Sequence, residues 1–470
     1  MGEPEQDKTV DSSHVEHPAR IVYGSETGAA RAGTLAALVE YLTCPDKLDA
    51  SFNRTFFATY TYFTSGTELL QLLLERYDCA LPITSHSAQS AVWSDQIKPV
   101  IRSRVMIVLN QWLEDFWVWN EPKNPETQKN LLKLQAFAQD SDSSILQQKL
   151  LETIQCRLAG VEPRGTKRPL SQPSSIATTS SSSSAPKPIL PRKLKPSKPQ
   201  FLKLDARELA RQLTLMESCI FGKVQPGELL HKNWQRKESL TLAPNVRALI
   251  QFFNQLSSWV GALVLAESDL KKRTQIIGHF INVAKTCHEI QNYSAVVAIL
   301  SGLQSAPVYR LGRTWAMVTQ RDCDTLEPLQ ALMSSEQNHR IYRDALRRAI
   351  PPCIPFLGLF LKDLIFIEDG NPALTPDERL INFSKYSMLA TTIHTVQRFQ
   401  EAMYCLQPVP ELQEYLATEL QQPSDLQKMW GRSCELEPRG RWDKNRERDT
   451  YTATGGMTTS MVVACMVFDD

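Results

Sequence analysis

Side chains able to do chemistry are scattered through this chain rather than gathered. Its eight histidines show no metal-binding spacing. Its ten cysteines, at 44, 79, 156, 219, 287, 323, 353, 405, 434 and 465, contain no CxxC pair. Several of them lie in apolar helical stretches, which reads as reduced, mostly buried small hydrophobes. There is no phosphate-binding P-loop, no GxSxG elbow, no HExxH helix and no dinucleotide fingerprint. No nucleophile, metal centre or cofactor is expected. Two carboxylates, Glu368 and Asp369, close an apolar run from Phe356 to Ile367 and stand before the turn Gly370-Asn371-Pro372. From residue types alone, Ile365 in that run reads as core and Asp369 as a turn former.

The elements that must position these residues are helical. Leu35, Leu38, Val39 and Leu42 fall at i, i+3, i+4 and i+7 behind Thr34, a natural N-cap. Ile101, Val105, Val108, Leu109, Trp112 and Phe116 make a wide apolar stripe, with Arg102, Arg104, Glu114 and Asp115 elsewhere. Further stripes are Val246/Leu249/Ile250/Phe253/Leu256/Val260, Ile277/Phe280/Ile281/Ala284, and Val296/Ile299/Leu300/Leu303 with Ser294 as candidate N-cap. A last one runs through Leu389, Ile393, Val396, Phe399 and Met403. No alternating strand pattern and no internal repeat is legible. The expected fold class is all-α.

Composition divides the chain. Residues 161–200 are Ser- and Pro-rich, with an unbroken run Ser180 to Ser184. Such a stretch buries too little apolar surface to offset its ordering entropy, so a flexible linker is expected. Within it Pro188-Ile-Leu-Pro191 has the PxxP form of an SH3 ligand, a weak signal. The reading is thus a tail at 1–18, a helical domain at 19–160, the linker, a larger helical domain at 201–439 and a tail at 440–470. The formal net charge is +1 among 470 residues, which favours neither nucleic acid nor anionic lipid. No run approaches the roughly 18 apolar residues of a membrane span, and no secretory or lipidation signal is expected.

The second helical domain carries specific words. Ala210-Arg-Gln-Leu-Thr-Leu-Met-Glu-Ser218, Ala243-Pro-Asn-Val-Arg-Ala-Leu-Ile250, Ile290-Gln-Asn-Tyr-Ser294, Pro351-Pro-Cys-Ile-Pro-Phe-Leu-Gly358, Glu368-Asp-Gly-Asn-Pro372, Ile381-Asn-Phe-Ser-Lys385 and Glu435-Leu-Glu-Pro-Arg439 follow in order. Together they resemble the catalytic domain of Sos-type Ras exchange factors. Ala32-Gly-Thr-Leu-Ala-Ala-Leu-Val-Glu-Tyr-Leu42, Phe56-Phe-Ala-Thr-Tyr60 and Ile107-Val-Leu-Asn-Gln-Trp-Leu113 resemble, more loosely, the Ras exchanger motif that precedes it.

The resemblance implies a guanine-nucleotide exchange factor acting on a Ras-family small GTPase of Ras, Rap or Ral type, with no bond chemistry of its own. It implies a helical hairpin, beginning near Lys362 and returning through Ile381 to Gln400, that pries open the GTPase switches and is braced by the first domain. Ile365 would intrude where Mg²⁺ sits, and Asp369, with Glu368 able to share the role, would compete with phosphate. Many members have Leu and Glu where this chain has Ile365 and Asp369. A second surface for the more mobile switch would use Val297, Gln304, Tyr309, Trp315 and His339, with Phe356 and Asn371 at the hairpin. Gln304 and His339 replace the Asn and Tyr of Sos. Read without the resemblance, Val297 only packs, Tyr309 and Trp315 are core or rim aromatics, His339 is an ordinary exposed histidine and Phe356 supports its surroundings. The alternative function is a helical scaffold that holds a GTPase without releasing its nucleotide. A cytoplasmic location is expected, with recruitment to the membrane that anchors the GTPase and without insertion into it.

Overall fold

The computed structural model describes residues 20–25, 28–46, 49–79, 96–117, 125–141, 144–161, 185–190, 201–376, 379–422 and 425–438. The expected tails 1–18 and 440–470, and most of the linker, lie outside them. The described chain opens with a short antiparallel ribbon, β1 (Ile21–Tyr23) and β2 (Ala30–Gly33). Helices follow: α1 (Leu35–Leu42), α2 (Ala50–Thr59), α3 (Gly66–Tyr77), α4 (Lys98–Gln111), α5 (Pro125–Asp140) and α6 (Ile145–Leu158). Then come α7 (Ala206–Phe221), α8 (Pro244–Ala266), α9 (Leu270–Glu289), α10 (Tyr293–Leu303), α11 (Gln320–Leu332) and α12 (Glu336–Arg348). The last are α13 (Leu357–Gly370), α14 (Phe383–Phe399), α15 (Pro410–Leu420) and α16 (Leu426–Leu436).

The architecture is all-α, as the periodicity predicts, with one addition. Three- and four-residue strands cannot display an alternating pattern, so the ribbon is invisible to pattern reading. Thr34 caps α1, its Oγ1 accepting from the Ala37 N–H. The Ile101 to Phe116 stripe is buried as expected, although the last turn, Trp112–Phe116, is a π-helix. The cysteines depart from expectation. Among the described cysteines only Cys287 and Cys353 are buried, Cys219 and Cys405 are exposed, and the others are half-buried.

Packing divides the chain into two units, Met1–Arg168 with Asp363–His394, and Pro169–Lys362 with Thr395–Asp470. The sequence reading keeps all of 201–439 together, whereas packing places Asp363–His394 with the first unit. The cause is aromatic and backbone complementarity. Phe52 stacks on Phe383 with ring centroids 4.6 Å apart, and Tyr386 meets Phe63 at 5.0 Å and Tyr62 at 5.7 Å. Pairs of this kind add to the burial of large apolar surface. Gly33 and Ile381 also exchange both backbone hydrogen bonds, at 3.2 and 2.9 Å. A Cβ at Gly33 would lie 3.1 Å from both the Arg20 carbonyl oxygen and Leu38 Cδ2, a tight fit that favours glycine where the backbones approach.

The second unit is built on α8, which packs along α10. By length and composition α8 could cross a membrane, which the sequence reading does not expect of any segment. In the fold its residues Val246, Leu249, Phe253, Leu256 and Val260 line the core of this unit. Gly302 permits the contact, since a Cβ there would fall 2.5 Å from the Ser257 carbonyl oxygen.

The cap of α10 is Asn292 rather than Ser294. The Asn292 Oδ1 accepts from the Ala295 N–H at 3.0 Å. Its Nδ2 donates to Glu217 Oε2 at 2.9 Å and to Thr214 Oγ1 at 3.0 Å. One buried side chain thereby starts α10 and ties it to α7. Burial pushes the Glu217 carboxyl from its ordinary 4.5 up to about 7, against the hydrogen bonds from Ser294 and Asn292. A raised folded-state value means stability that is full below the unfolded value and is lost as pH rises through the folded one. Glu217→Gln cannot titrate, so it should flatten the fall in thermal midpoint between about pH 5 and about pH 8. Equal slopes for wild type and variant in thermal denaturation would contradict this.

Residues 185–190 are the described part of the linker, and they are not loose. The Ile189 N–H donates to Glu208 Oε2 at 2.9 Å, and Arg211 Nη1 donates to the Lys187 carbonyl at 3.3 Å. Glu208 is buried and also accepts from Gln212 Nε2 at 2.7 Å. A buried carboxylate needs such donors, and the extended linker backbone supplies one.

Candidate functional site

The end of α13 sorts its side chains by face. Leu364 is buried, Ile365 is half-buried, and Phe366 and Asp369 are exposed. Glu368 points elsewhere, its Oε2 accepting from the Tyr62 hydroxyl at 3.0 Å. The same carboxylate, after burial, helps push the Tyr386 hydroxyl above its ordinary value. The two neighbouring acids therefore have different tasks. Glu368 is tied to Tyr62 within its unit, and Asp369 is exposed.

The helix end is fastened from α14. Lys385 is buried, and its Nζ donates to the carbonyls of Glu368 and Asn371, each at 2.7 Å. Carbonyls at a helix C-terminus lack intrahelical donors, and a cation there complements the helix dipole. Asn371 closes the turn, its Nδ2 donating to the Ile367 carbonyl at 3.0 Å. Lys385→Met keeps the aliphatic volume but leaves both carbonyls short of a donor, at about 1–3 kcal/mol for each one stranded. It is expected to loosen 368–371, read as faster amide exchange there than in wild type. Unchanged protection would refute the fastening role.

The second set of sequence-selected residues lies in the other unit. Gln304, Tyr309 and Trp315 are half-buried and sit on consecutive short elements. Gln304 ends α10, Tyr309 ends the single turn Ala306–Tyr309, and Trp315 lies in the turn Gly312–Ala316. The Trp315 indole Nε1 donates to the Val308 carbonyl at 3.1 Å, which locks the two turns together. Val297 precedes Gln304 by two helical turns but is 2% exposed, so it shapes this surface from beneath.

His339 and Phe356 are buried as well, and not exposed as an ordinary histidine reading would have it. His339 lies in a left-handed stretch, Gln337 to His339, at the start of α12. The Phe356 N–H donates to the buried Tyr342 hydroxyl at 2.7 Å. Neither residue offers its side chain to solvent.

Sequence reasoning missed the polar network beneath Tyr309 and Trp315. Glu437 accepts from the Arg313 N–H at 2.9 Å, the Thr314 N–H at 3.0 Å and the Thr314 hydroxyl at 2.7 Å, and pairs with Arg273 at 3.6 Å. Arg310 donates to the Ser433 carbonyl at 2.8 Å and to the Glu437 carbonyl at 2.9 Å. Glu437 lies in one of the family-like words, but only the fold shows what it holds. Among the described residues no group of three or more His, Cys, Asp or Glu could hold a metal ion.

Two helical units, one carrying the exposed Asp369 and one carrying the turns of Tyr309 and Trp315, fit the class suggested by the sequence words. The RasGEF domain family matches residues 208–387 and the RasGEF N-terminal motif family matches residues 29–137. The chain belongs to the Ras guanine-nucleotide exchange factor family, with an exchanger motif domain ahead of a catalytic domain.

Among individual relatives it is 32% identical over 421 residues to Ras guanine nucleotide exchange factor J of Dictyostelium discoideum, covering 89% of this chain and 49% of that protein. It is 31% identical over 418 residues to Cell division control protein 25 of Candida albicans, covering 88% and 30%. The protein of the same name in Saccharomyces cerevisiae is 30% identical over 472 residues, covering 97% and 29%. The chain thus spans half or less of the length of these curated relatives.

Proposed function

We propose that this chain accelerates GDP release from a Ras-family small GTPase by binding the nucleotide-free state more tightly than the loaded one. Only that difference in affinity can loosen the nucleotide, and linkage requires incoming nucleotide to expel the exchanger. The observation that carries the reading is the fastened end of α13, where Asp369 is exposed on a helix end whose backbone Lys385 holds. An apolar Ile365 cannot ligate Mg²⁺, which demands oxygen, and a carboxylate at Asp369 can take backbone donors that phosphate vacates. Gln304, Tyr309 and Trp315 would dock the mobile switch, with Val297, His339 and Phe356 supporting from below.

The GTPase is of Ras, Rap or Ral type, met at the membrane that anchors it by a cytoplasmic exchanger. An SH3 domain taking Pro188–Pro191 would meet a segment whose Ile189 N–H already donates to Glu208. Release of fluorescent GDP, measured across a panel of Ras, Rap and Ral GTPases, tests the proposal. Binding without faster release from any of them would favour the scaffold reading, to which the short Asp369 side chain lends its one argument.

A further inference from the structure

An aromatic ring stands beside the two residues to which the exchange reading assigns a role. Phe366 is 62% exposed on α13. It precedes Asp369 by three residues and Ile365 precedes Asp369 by four, so both side chains neighbour Asp369 on the helix surface. The other side is committed, with Leu364 buried and Glu368 bonded to Tyr62. The Lys385 ammonium fixes the backbone at 368 and 371. Single exposed apolar residues are ordinary on protein surfaces. This one sits on a fastened helix end, between a half-exposed Ile and an outward carboxylate, where loss of backbone freedom on binding has already been met.

We infer that Phe366 is a docking residue that sets which GTPase is taken, by seating its ring on an apolar surface segment of the GTPase next to the one met by Ile365. The inference rests on the exchange reading and deepens it. The matching partner surface is apolar opposite Ile365 and Phe366 and carries N–H or cationic donors opposite Asp369. Aromatic anchors of this kind dominate interface energies, and specificity is a difference of affinities. Phe366 therefore acts on docking and selectivity, whereas Ile365 and Asp369 act on release itself.

The test uses the full chain with Phe366→Ala, Phe366→Lys, Phe366→Leu and, alongside them, Ile365→Ala. GDP release is followed over a series of GTPase concentrations for Ras, Rap and Ral. Phe366→Ala should lower kcat/KM on the preferred GTPase by about 30-fold or more, mainly through KM, as loss of an aromatic anchor does. Phe366→Lys should do at least the same, Phe366→Leu should recover part, and the ranking of the three GTPases should narrow. Thermal midpoints should match wild type because the ring is exposed.

If Phe366→Ala and Phe366→Lys kept kcat/KM and ranking while Ile365→Ala was slow, the inference would fail and the exchange reading would stand. If Ile365→Ala were also unimpaired, the exchange reading would fall with it. A lowered thermal midpoint in both Phe366→Ala and Phe366→Leu would make the ring a packing residue and overturn the inference.

Discussion

Asp369→Ala is expected to slow GDP release at saturating exchanger far more than Glu368→Ala does. Asp369 is exposed at the end of α13, and the half-buried Glu368 carboxylate accepts from Tyr62 at 3.0 Å. On the exchange reading, Asp369 satisfies donors that the departing phosphate leaves behind. Losing that acceptor costs about 1–3 kcal/mol per buried bond, and more for charged groups. A loss of that size corresponds to roughly 5- to 150-fold weaker stabilisation of the nucleotide-free complex.

Ile365→Ala should also lower the maximal rate while leaving some binding, because a wedge is removed and not an anchor. Glu368→Ala should act mainly through the fold, lowering thermal stability by removing the acceptor of Tyr62. The double change Glu368→Ala/Asp369→Ala separates the acids further. If it is no slower than Asp369→Ala alone, Glu368 takes no part in release. Wild-type maximal rates for Ile365→Ala and Asp369→Ala, in proteins that remain folded, would remove this helix end from the mechanism.

What the sequence revealed and what it hid follow from the range of each interaction. Apolar periodicity is local, so the stripes of α4, α8, α9 and α10 were legible, and Thr34 was legible as a cap. The cap of α10 was misplaced by two residues because Ser294 and Asn292 are both good caps. The choice was decided by distant Glu217 and Thr214, to which Asn292 also donates. The ribbon β1–β2 was too short to show a period.

The grouping of Asp363–His394 with the first unit depends on Phe52, Phe63 and Gly33, hundreds of residues away in the chain, and no local pattern announces such contacts. The same holds at the candidate site. Ile365, Glu368 and Asp369 were found through family-like words, but those words did not separate the two acids. Tyr62, 306 positions from Glu368, does that. The resemblance names Val297, His339 and Phe356 as contact residues, and all three are buried in the fold.

Glu437→Ala should give the largest loss of stability in the second unit. The residue is 7% exposed and its carboxylate receives three hydrogen bonds from Arg313 and Thr314, with the Arg273 guanidinium at 3.6 Å. Arg273 is itself 2% exposed, bonded to Thr314 Oγ1 at 2.9 Å and to the Glu267 carbonyl at 3.0 Å. Removing Glu437 would leave a buried cation without its counter-ion, which costs about 3–5 kcal/mol.

For a unit of this size that is a fall on the order of 10 °C in thermal midpoint. Arg273→Met/Glu437→Ala should lose less than the sum of the single changes, because the stranded charge is gone while the Arg313 and Thr314 N–H groups still lack their acceptor. The consequence for function follows from position. Arg313 and Thr314 lead directly into Trp315, so loss of the Glu437 carboxylate releases the turn that presents this ring, while Arg310, next to Tyr309, keeps its bonds to the Ser433 and Glu437 backbone carbonyls. Below the melting range, Glu437→Ala should therefore raise KM for the GTPase more than it lowers the maximal rate, since Ile365 and Asp369 are untouched. Calorimetry and GDP-release kinetics on the same preparation check both parts. A thermal midpoint within about 2 °C of wild type would show that the ion pair is not what holds these turns. A destabilised protein with unchanged KM at low temperature would show that the turns do not dock the GTPase.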